Sequence, residues 1–238
     1  MNTVRTLPTK RGVRILQHGT VLSEVLKKPG ATHSVVDVMA AGIRILSPCP
    51  EVALLGFSGG GLIGPLRAMR GSHRITALDM DKSGFAVFEK YCRKWAGIVN
   101  LHHAEAAHWL RRTKRRYDHI VVDLSISLDG EVQTPNLVWN DLPRLVFERL
   151  TPHGTGTFNL LRPVNLSWAE GLARVTKLFP SARIVSLDDF ENRVVFVGKL
   201  IGTTLGFSHR MRSLLKEIGS KQANRISVRR WQHRGPMG

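Results

Sequence analysis

Cysteine, tyrosine and acidic side chains are scarce in this chain, and the shortages narrow what it can be. Two cysteines among 238 residues, Cys49 and Cys92, make no disulfide framework, and neither belongs to the Cys-x-x-Cys pair of a zinc ribbon. No apolar run approaches the roughly 20 residues of a membrane-spanning helix. Residues 1–17 lack the apolar stretch of a secretory signal, so a cytoplasmic protein with no membrane partner is expected. The acids number 18 against 35 Lys and Arg, a formal net charge of +17. Yet 42% hydrophobic and 22% charged residues are ordinary for a folded domain, which excludes a disordered polycation or a fibrous repeat. The length suits one α/β domain with short appendages.

The charge is concentrated at the ends. Residues 1–30 carry a net +5, residues 210–238 a net +7 and residues 31–209 a net +5. The central excess equals the five bases of the run Arg111-Arg112-Thr113-Lys114-Arg115-Arg116, outside which the middle is neutral. Such basic ends either stay solvated or form an electrostatic footprint for nucleic acid. The reading divides the chain into a basic N-terminal segment with a small hairpin (1–33), a folded domain (34–200) and a basic C-terminal tail (201–238). A homo-oligomer is compatible with all of this.

Along the chain, Val13–Gln17 and Thr20–Ser23 alternate as short strands around a His18-Gly19 turn. Ser34-Val35-Val36-Asp37 has capping-box form and opens a helix over Val36–Leu46, stopped by Pro48 and Pro50. A buried strand, Glu51–Leu55, then runs into Gly56-Phe57-Ser58-Gly59-Gly60-Gly61 and a helix over Leu62–Met69. Strands are expected at Arg74–Leu78, Ile98–His102, Tyr117–Asp123 and Thr155–Leu161. Helices are expected at Ser83–Trp95, Ala104–Arg112, Asn136–Leu150 and Leu166–Leu178. Ala182–Leu187 and Arg193–Lys199 follow with no helix between them and should pair antiparallel. Alternating strands and helices imply right-handed crossovers and a parallel sheet covered on both faces.

The glycine loop after the first buried strand is the most informative feature, because glycine lets backbone approach a ligand and leaves amide donors free at a helix start. Three enzyme classes fit it. Gly56-Phe57-Ser58-Gly59-Gly60 matches the G-x-S-x-G nucleophile elbow of a hydrolase, with Ser58 as nucleophile and Asp123 and His153 as partners. Gly59-Gly60-Gly61-Leu62-Ile63-Gly64 matches the G-x-G-x-x-G of an NAD-dependent enzyme, with Asp79 as the ribose acid.

The third reading uses the order of four motifs: Leu54-Leu55-Gly56-Phe57-Ser58-Gly59-Gly60-Gly61, then Leu78-Asp79-Met80-Asp81, then Ala104-Glu105-Ala106, then Tyr117-Asp118-His119-Ile120-Val121-Val122-Asp123. In that order they resemble the spermidine synthase-like branch of the class I S-adenosylmethionine-dependent methyltransferase superfamily, over roughly residues 34–200. The resemblance implies a Rossmann-like seven-stranded α/β sheet, mostly parallel with an antiparallel final strand and helices on both faces. It implies S-adenosylmethionine or decarboxylated S-adenosylmethionine as cofactor. Gly56, Phe57, Ser58, Gly59, Gly60 and Gly61 would pass under its methionine moiety. Asp79 would take the ribose hydroxyls, with Met80 beside it. Glu105 would take the adenine amino group and Ala106 would meet the ring. Asp123, at the end of the fourth strand, would face the reacting centre as the candidate catalytic residue.

Each acid also has an ordinary structural alternative: a helix N-cap for Asp79 or Asp81, a first-turn dipole partner for Glu105, a strand-end cap for Asp123. The acceptor end departs from the family. Gly59 stands where it places an Asp in the glycine loop, Ile126 where it places a second, and Val35 and Asp37 where it has Tyr and Glu. Asp129 and Glu131 are the nearby acids that could substitute. Methyl or alkyl transfer to an unidentified acceptor is therefore expected rather than polyamine synthesis. The competing expectation is a non-catalytic transferase-like domain acting as a basic nucleic-acid-binding module or scaffold. No metal site is expected of His102, His103 and His108, and Trp95, Trp109, Trp139 and Trp168 read as packing residues.

Overall fold

The computed structural model describes residues 5–17, 19–47, 50–128 and 130–232. His18, Pro48, Cys49 and Asp129, named above, lie outside them. Near the N-terminus β1 (Arg5–Pro8), β2 (Gly12–Gln17) and β3 (Thr20–Leu26) form an antiparallel three-stranded sheet of their own. Then come α1 (Val35–Leu46), β4 (Glu51–Leu55), α2 (Ile63–Ala68), β5 (Arg74–Asp79), α3 (Ser83–Tyr91), β6 (Val99–His103), α4 (Ala106–Arg112) and β7 (Tyr117–Val122). A small hairpin, β8 (Ile126–Leu128) and β9 (Glu131–Gln133), precedes α5 (Asn136–Trp139), α6 (Leu142–Arg149), β10 (Leu150–Leu160), α7 (Trp168–Thr176), β11 (Ser181–Leu187) and β12 (Phe190–Gly198). The described chain closes with α8 (Thr204–Glu217), a 3-10 turn at Lys221–Asn224 and β13 (Ile226–Trp231).

The central sheet has the order β13-β11-β12-β10-β7-β4-β5-β6. Strands β10, β7, β4, β5 and β6 run parallel. Strand β12 is antiparallel to both β10 and β11. This is the mostly parallel α/β sheet with an antiparallel late strand that the motifs implied, enlarged from seven strands to eight. The pleat sends alternate residues to opposite faces: Val52 and Leu54 of β4 join the core under α1, α2, α3 and α8, whereas Ala53 and Leu55 join the core under α4–α7.

Three local expectations change. The eighth strand comes from 201–238, which read as a basic tail: β13 pairs antiparallel with β11, and Phe207, Met211 and Leu215 bury α8 against the sheet. The expected helix over Asn136–Leu150 is two helices, because Pro143 sits in the first turn of α6, where its missing N–H costs nothing. Ser34 is the N-cap of α1 but makes no side-chain cap bond. Asp37 instead turns back, buried, to accept from Thr32 N (2.9 Å), His33 N (2.9 Å), Thr32 Oγ1 (2.7 Å) and Ser220 Oγ (2.6 Å). That carboxylate ties the start of α1 to the segment after α8. Among the described residues no helix is long and apolar enough to cross a membrane.

Candidate functional site

The carboxyl ends of β4, β5, β6 and β7 converge on a cavity of about 420 Å3, where open α/β sheets hold their ligands. Each strand delivers one motif residue to it: Gly56 after β4, Asp79 at the end of β5, Glu105 after β6 and Asp123 after β7. Its size is that of a small-molecule site.

Gly56 has φ +87, and a side chain there would collide with the Asp123 carbonyl. Its N–H donates to Leu78 O (3.0 Å), and Asp123 N donates to Leu55 O (2.8 Å). Glycine is required here for the turn and for the close approach of two backbones. Ser58, with φ +38, lies in the left-handed region without that licence. Asp79 holds the loop in place: Oδ2 accepts from Phe57 N (2.9 Å) and Ser58 N (2.8 Å), and Oδ1 from Asp81 N (2.9 Å). Amide bonds to a carboxylate contribute about 1.5–3 kcal/mol each, enough to offset the strain at Ser58.

Gly59 and Gly61 serve the N-terminal sheet. A side chain on Gly59 would run into Ile15 of β2, and one on Gly61 into Ser23 of β3. One on Gly60 would meet the ring of Phe57, itself buried in edge-on contact with Phe85 and Phe88 at 5.7 and 5.2 Å. Phe57, Gly59, Gly60 and Gly61 therefore do not line the cavity, whereas Gly56, Ser58, Asp79, Met80, Glu105, Ala106 and Asp123 do. The loop's exposed edge and its buried edge have different tasks.

Glu105 is the N-cap of α4, its Oε1 accepting from Ala107 N (2.8 Å) and its Oε2 from His108 N (2.6 Å). The capping alternative thus describes its bonds, while its position remains in the cavity wall. Met80 is 69% exposed at the mouth. Asp123 is partly buried, and Oδ1 accepts from Asn159 Nδ2 at 2.8 Å. Burial raises its pKa above the usual carboxylate range; the Asn159 bond opposes this and the charge of Asp79 adds to it. Asn192 Nδ2 donates in turn to Asn159 Oδ1 (2.9 Å), extending the chain of amides from β7 across β10 to β12.

Sequence reasoning did not single out Asn159, which stands next to the last residue of β10, a strand that also carries Thr151, His153, Thr155 and Thr157 and so gives a polar residue no contrast. Nor did it find Ile15 and Leu22, which bring the N-terminal sheet to the cavity wall; that contact joins segments distant in sequence. At the acceptor end Ile126 lines the cavity beside Ser125, Ser127, Pro135 and Leu137, while Val35, Asp37 and Glu131 do not line it. The hydrolase triad does not assemble, because His153 enters with the amino end of β10, at the opposite end of the strands, and no histidine is among the described residues that line the cavity. The dinucleotide template also loses its basis, since Gly59 and Gly61 face β2 and β3.

No family model matches the chain. No curated protein matches it in sequence. Solved structures do resemble it. A probable spermidine synthase from Corynebacterium glutamicum superimposes with a TM-score of 0.70 at 14% identity, covering 95% of this chain and 86% of that one. Human methyltransferase-like protein 13 in complex with SAH gives a TM-score of 0.58 at 20% identity, covering 85% of this chain and 95% of that one. The T. thermophilus 16S rRNA methyltransferase in complex with AdoMet and guanosine gives 0.51 at 16% identity, covering 83% of this chain and 50% of that one. With its strand order, its antiparallel β12 and these neighbours, the chain has the fold shared by spermidine synthases and class I S-adenosylmethionine-dependent methyltransferases.

Proposed function

We propose that the cavity binds S-adenosylmethionine or its decarboxylated form and that the chain is a transferase moving a methyl or other alkyl group to an acceptor. The observation that carries this reading is the charge of the wall. Asp79, Asp81, Glu105 and Asp123 line it, and no lysine, arginine or histidine is among the described residues that do. Clustered carboxylates with low-dielectric walls favour a cation, and both donors carry a sulfonium. The similar human structure is a complex with SAH and the T. thermophilus one a complex with AdoMet and guanosine.

The residues present fit such a ligand. Asp79 Oδ1 has a lone pair left after the three amide bonds and is suited to accept from a ribose hydroxyl. Met80, Ala104 and Ala106 supply apolar wall for a purine, next to Glu105. When bound, the sulfonium donor supplies a good leaving group, so the protein has mainly to orient the acceptor. Asp123 Oδ2 has no partner among the described residues. With its raised pKa it is suited to take a proton from an acceptor, and Asn159 fixes which oxygen faces the cavity.

The apolar surface of Ile126 and Leu137 supports an acceptor other than a polyamine. Thermal unfolding of the full chain with each donor tests the reading. A ligand that binds only the folded state raises Tm in proportion to RT ln(1 + [L]/Kd). A rise with either donor is expected, and the larger of the two identifies the natural one. No rise with either at about 1 mM, a Kd scale of only 4 kcal/mol, contradicts it.

A further inference from the structure

A second recess, of about 330 Å3, opens on the same edge of the sheet and is lined by Arg162, Trp168, Ser186, Phe190, Glu191, Asn192 and Arg193. Its chemistry is the reverse of the first cavity. Arg162 follows β10, and Arg193 sits on β12 with its guanidinium carbon 4.1 Å from the centre of the Trp168 ring. Trp168 is thereby held between Arg193 and the edge of Trp139, whose centroid lies 6.5 Å away. A guanidinium stacked on an aromatic face keeps its N–H donors in the ring-parallel plane, free for an oxyanion. Neither Arg162 nor Arg193 makes a side-chain hydrogen bond or ion pair among the described residues. Arg70, Arg74, Arg93, Arg111, Arg115, Arg144 and Arg225 all have carboxylate partners. Arg229 adds a third positive charge close to Arg193, against the single carboxylate of Glu191.

The recess is joined to the candidate catalytic carboxylate. Asn192, in its wall, donates to Asn159, which donates to Asp123. Two amides in series thus connect an acidic cavity to a basic recess along one sheet edge. We propose that the recess is a phosphate subsite for the acceptor, whose phosphate group docks on Arg162 and Arg193 while its nucleophilic end reaches Asp123. Its assignment to the acceptor rests on the transferase reading; the phosphate site itself does not. The phosphate can belong to a small phosphomonoester or to an RNA strand, since both present the oxyanion that a guanidinium fork recognises.

Calorimetric titration of the full chain with AMP and, separately, with a short single-stranded RNA distinguishes the sources. Saturable binding of at least one probe is expected. Arg162→Gln and Arg193→Gln should each weaken it by about tenfold, the effect of losing one charge-assisted contact. Arg162 is exposed, so its variant should fold with unchanged Tm. Saturation by AMP marks a small acceptor, and saturation by RNA alone marks a polymer. Absence of binding by both probes, or binding equally tight in both variants, overturns the proposal. S-adenosylmethionine and its decarboxylated form, titrated into the same variants, should bind as they do to the parent chain. Failure of both donors to bind any of them contradicts the transferase reading and leaves the phosphate result standing on its own.

Discussion

The two recesses on the carboxyl edge of the sheet differ in how their charges are held. In the first, Asp79, Asp81 and Glu105 are fixed by backbone amides of their own and neighbouring loops and of α4. In the second, Arg162 has no such fixing and Arg193 rests on an indole face. Carboxylates bonded to backbone are oriented before any ligand arrives, and they support the fold and binding together. Unpaired guanidinium groups contribute little to the fold, so their expression in function should be separable from stability. Asn159 stands between the two, bonded to Asp123 on one side and Asn192 on the other.

Substitutions can separate these roles. The largest effect is expected from Gly56→Ala, which would force a side chain against the Asp123 carbonyl at a φ of +87. About 3 kcal/mol or more of stability should be lost in urea unfolding, and both recesses should lose ligand binding. Gly130→Ala is the control: φ is +83 there with open space around it, and about 1 kcal/mol is expected.

Asp79→Ala comes next. It removes three amide acceptors from the loop and should lower both Tm and donor affinity, the latter by about 100-fold, while leaving phosphate binding intact. Affinity equal to the parent's would mean that Asp79 does not hold the donor, and would count against the cavity as its site.

Asp123→Asn should move stability and binding in opposite directions. Because the folded-state pKa of Asp123 is raised, the folded protein holds its proton more tightly than the unfolded chain does. Stability is then lost as pH rises from the ordinary aspartate range, near 3.9, through the higher folded value. The amide escapes that penalty, so Asp123→Asn should melt higher than the parent at neutral pH and equally at low pH, with weaker binding of a cationic donor. Melting curves at several pH values check the sign.

His119 gives a smaller, purely structural pH effect. It is buried between Thr155 Oγ1 (2.7 Å) and Thr157 Oγ1 (2.8 Å), and burial pushes its pKa down to about 3. A neutral histidine of this kind costs stability as pH falls below its unfolded value, near 6.5, toward about 3. His119→Gln should flatten that part of the acid-unfolding profile without altering either recess. The smallest effect on stability is that of Arg162→Gln, within about 0.5 kcal/mol as for other exposed side chains.

The sequence made the sheet's parallel half and the positions of Gly56, Asp79, Glu105 and Asp123 legible, because buried strands such as Ile120-Val121-Val122 are continuous apolar runs ending in polar residues. The edge was harder to read. In β13, Ile226 and Val228 alternate with Ser227 and Arg229, a pattern that also suits a solvated basic segment; only pairing with β11, distant in sequence, makes it a strand. The split roles of the glycine loop were hidden for a similar reason. Gly59 and Gly61 are set by Ile15 and Ser23 of a separate sheet, and no local pattern announces that contact. Asp37 looked like a capping or acceptor acid and is a buried tie to Ser220.

The central claim, that the acidic cavity is a site for a sulfonium donor, is tested most directly by calorimetric titration of S-adenosylmethionine and its decarboxylated form into the parent chain, Asp79→Ala and Arg162→Gln. The account predicts saturable binding of at least one donor to the parent and to Arg162→Gln, lost in Asp79→Ala. No saturation by either donor at about 1 mM, or binding to Asp79→Ala as tight as to the parent, would contradict it.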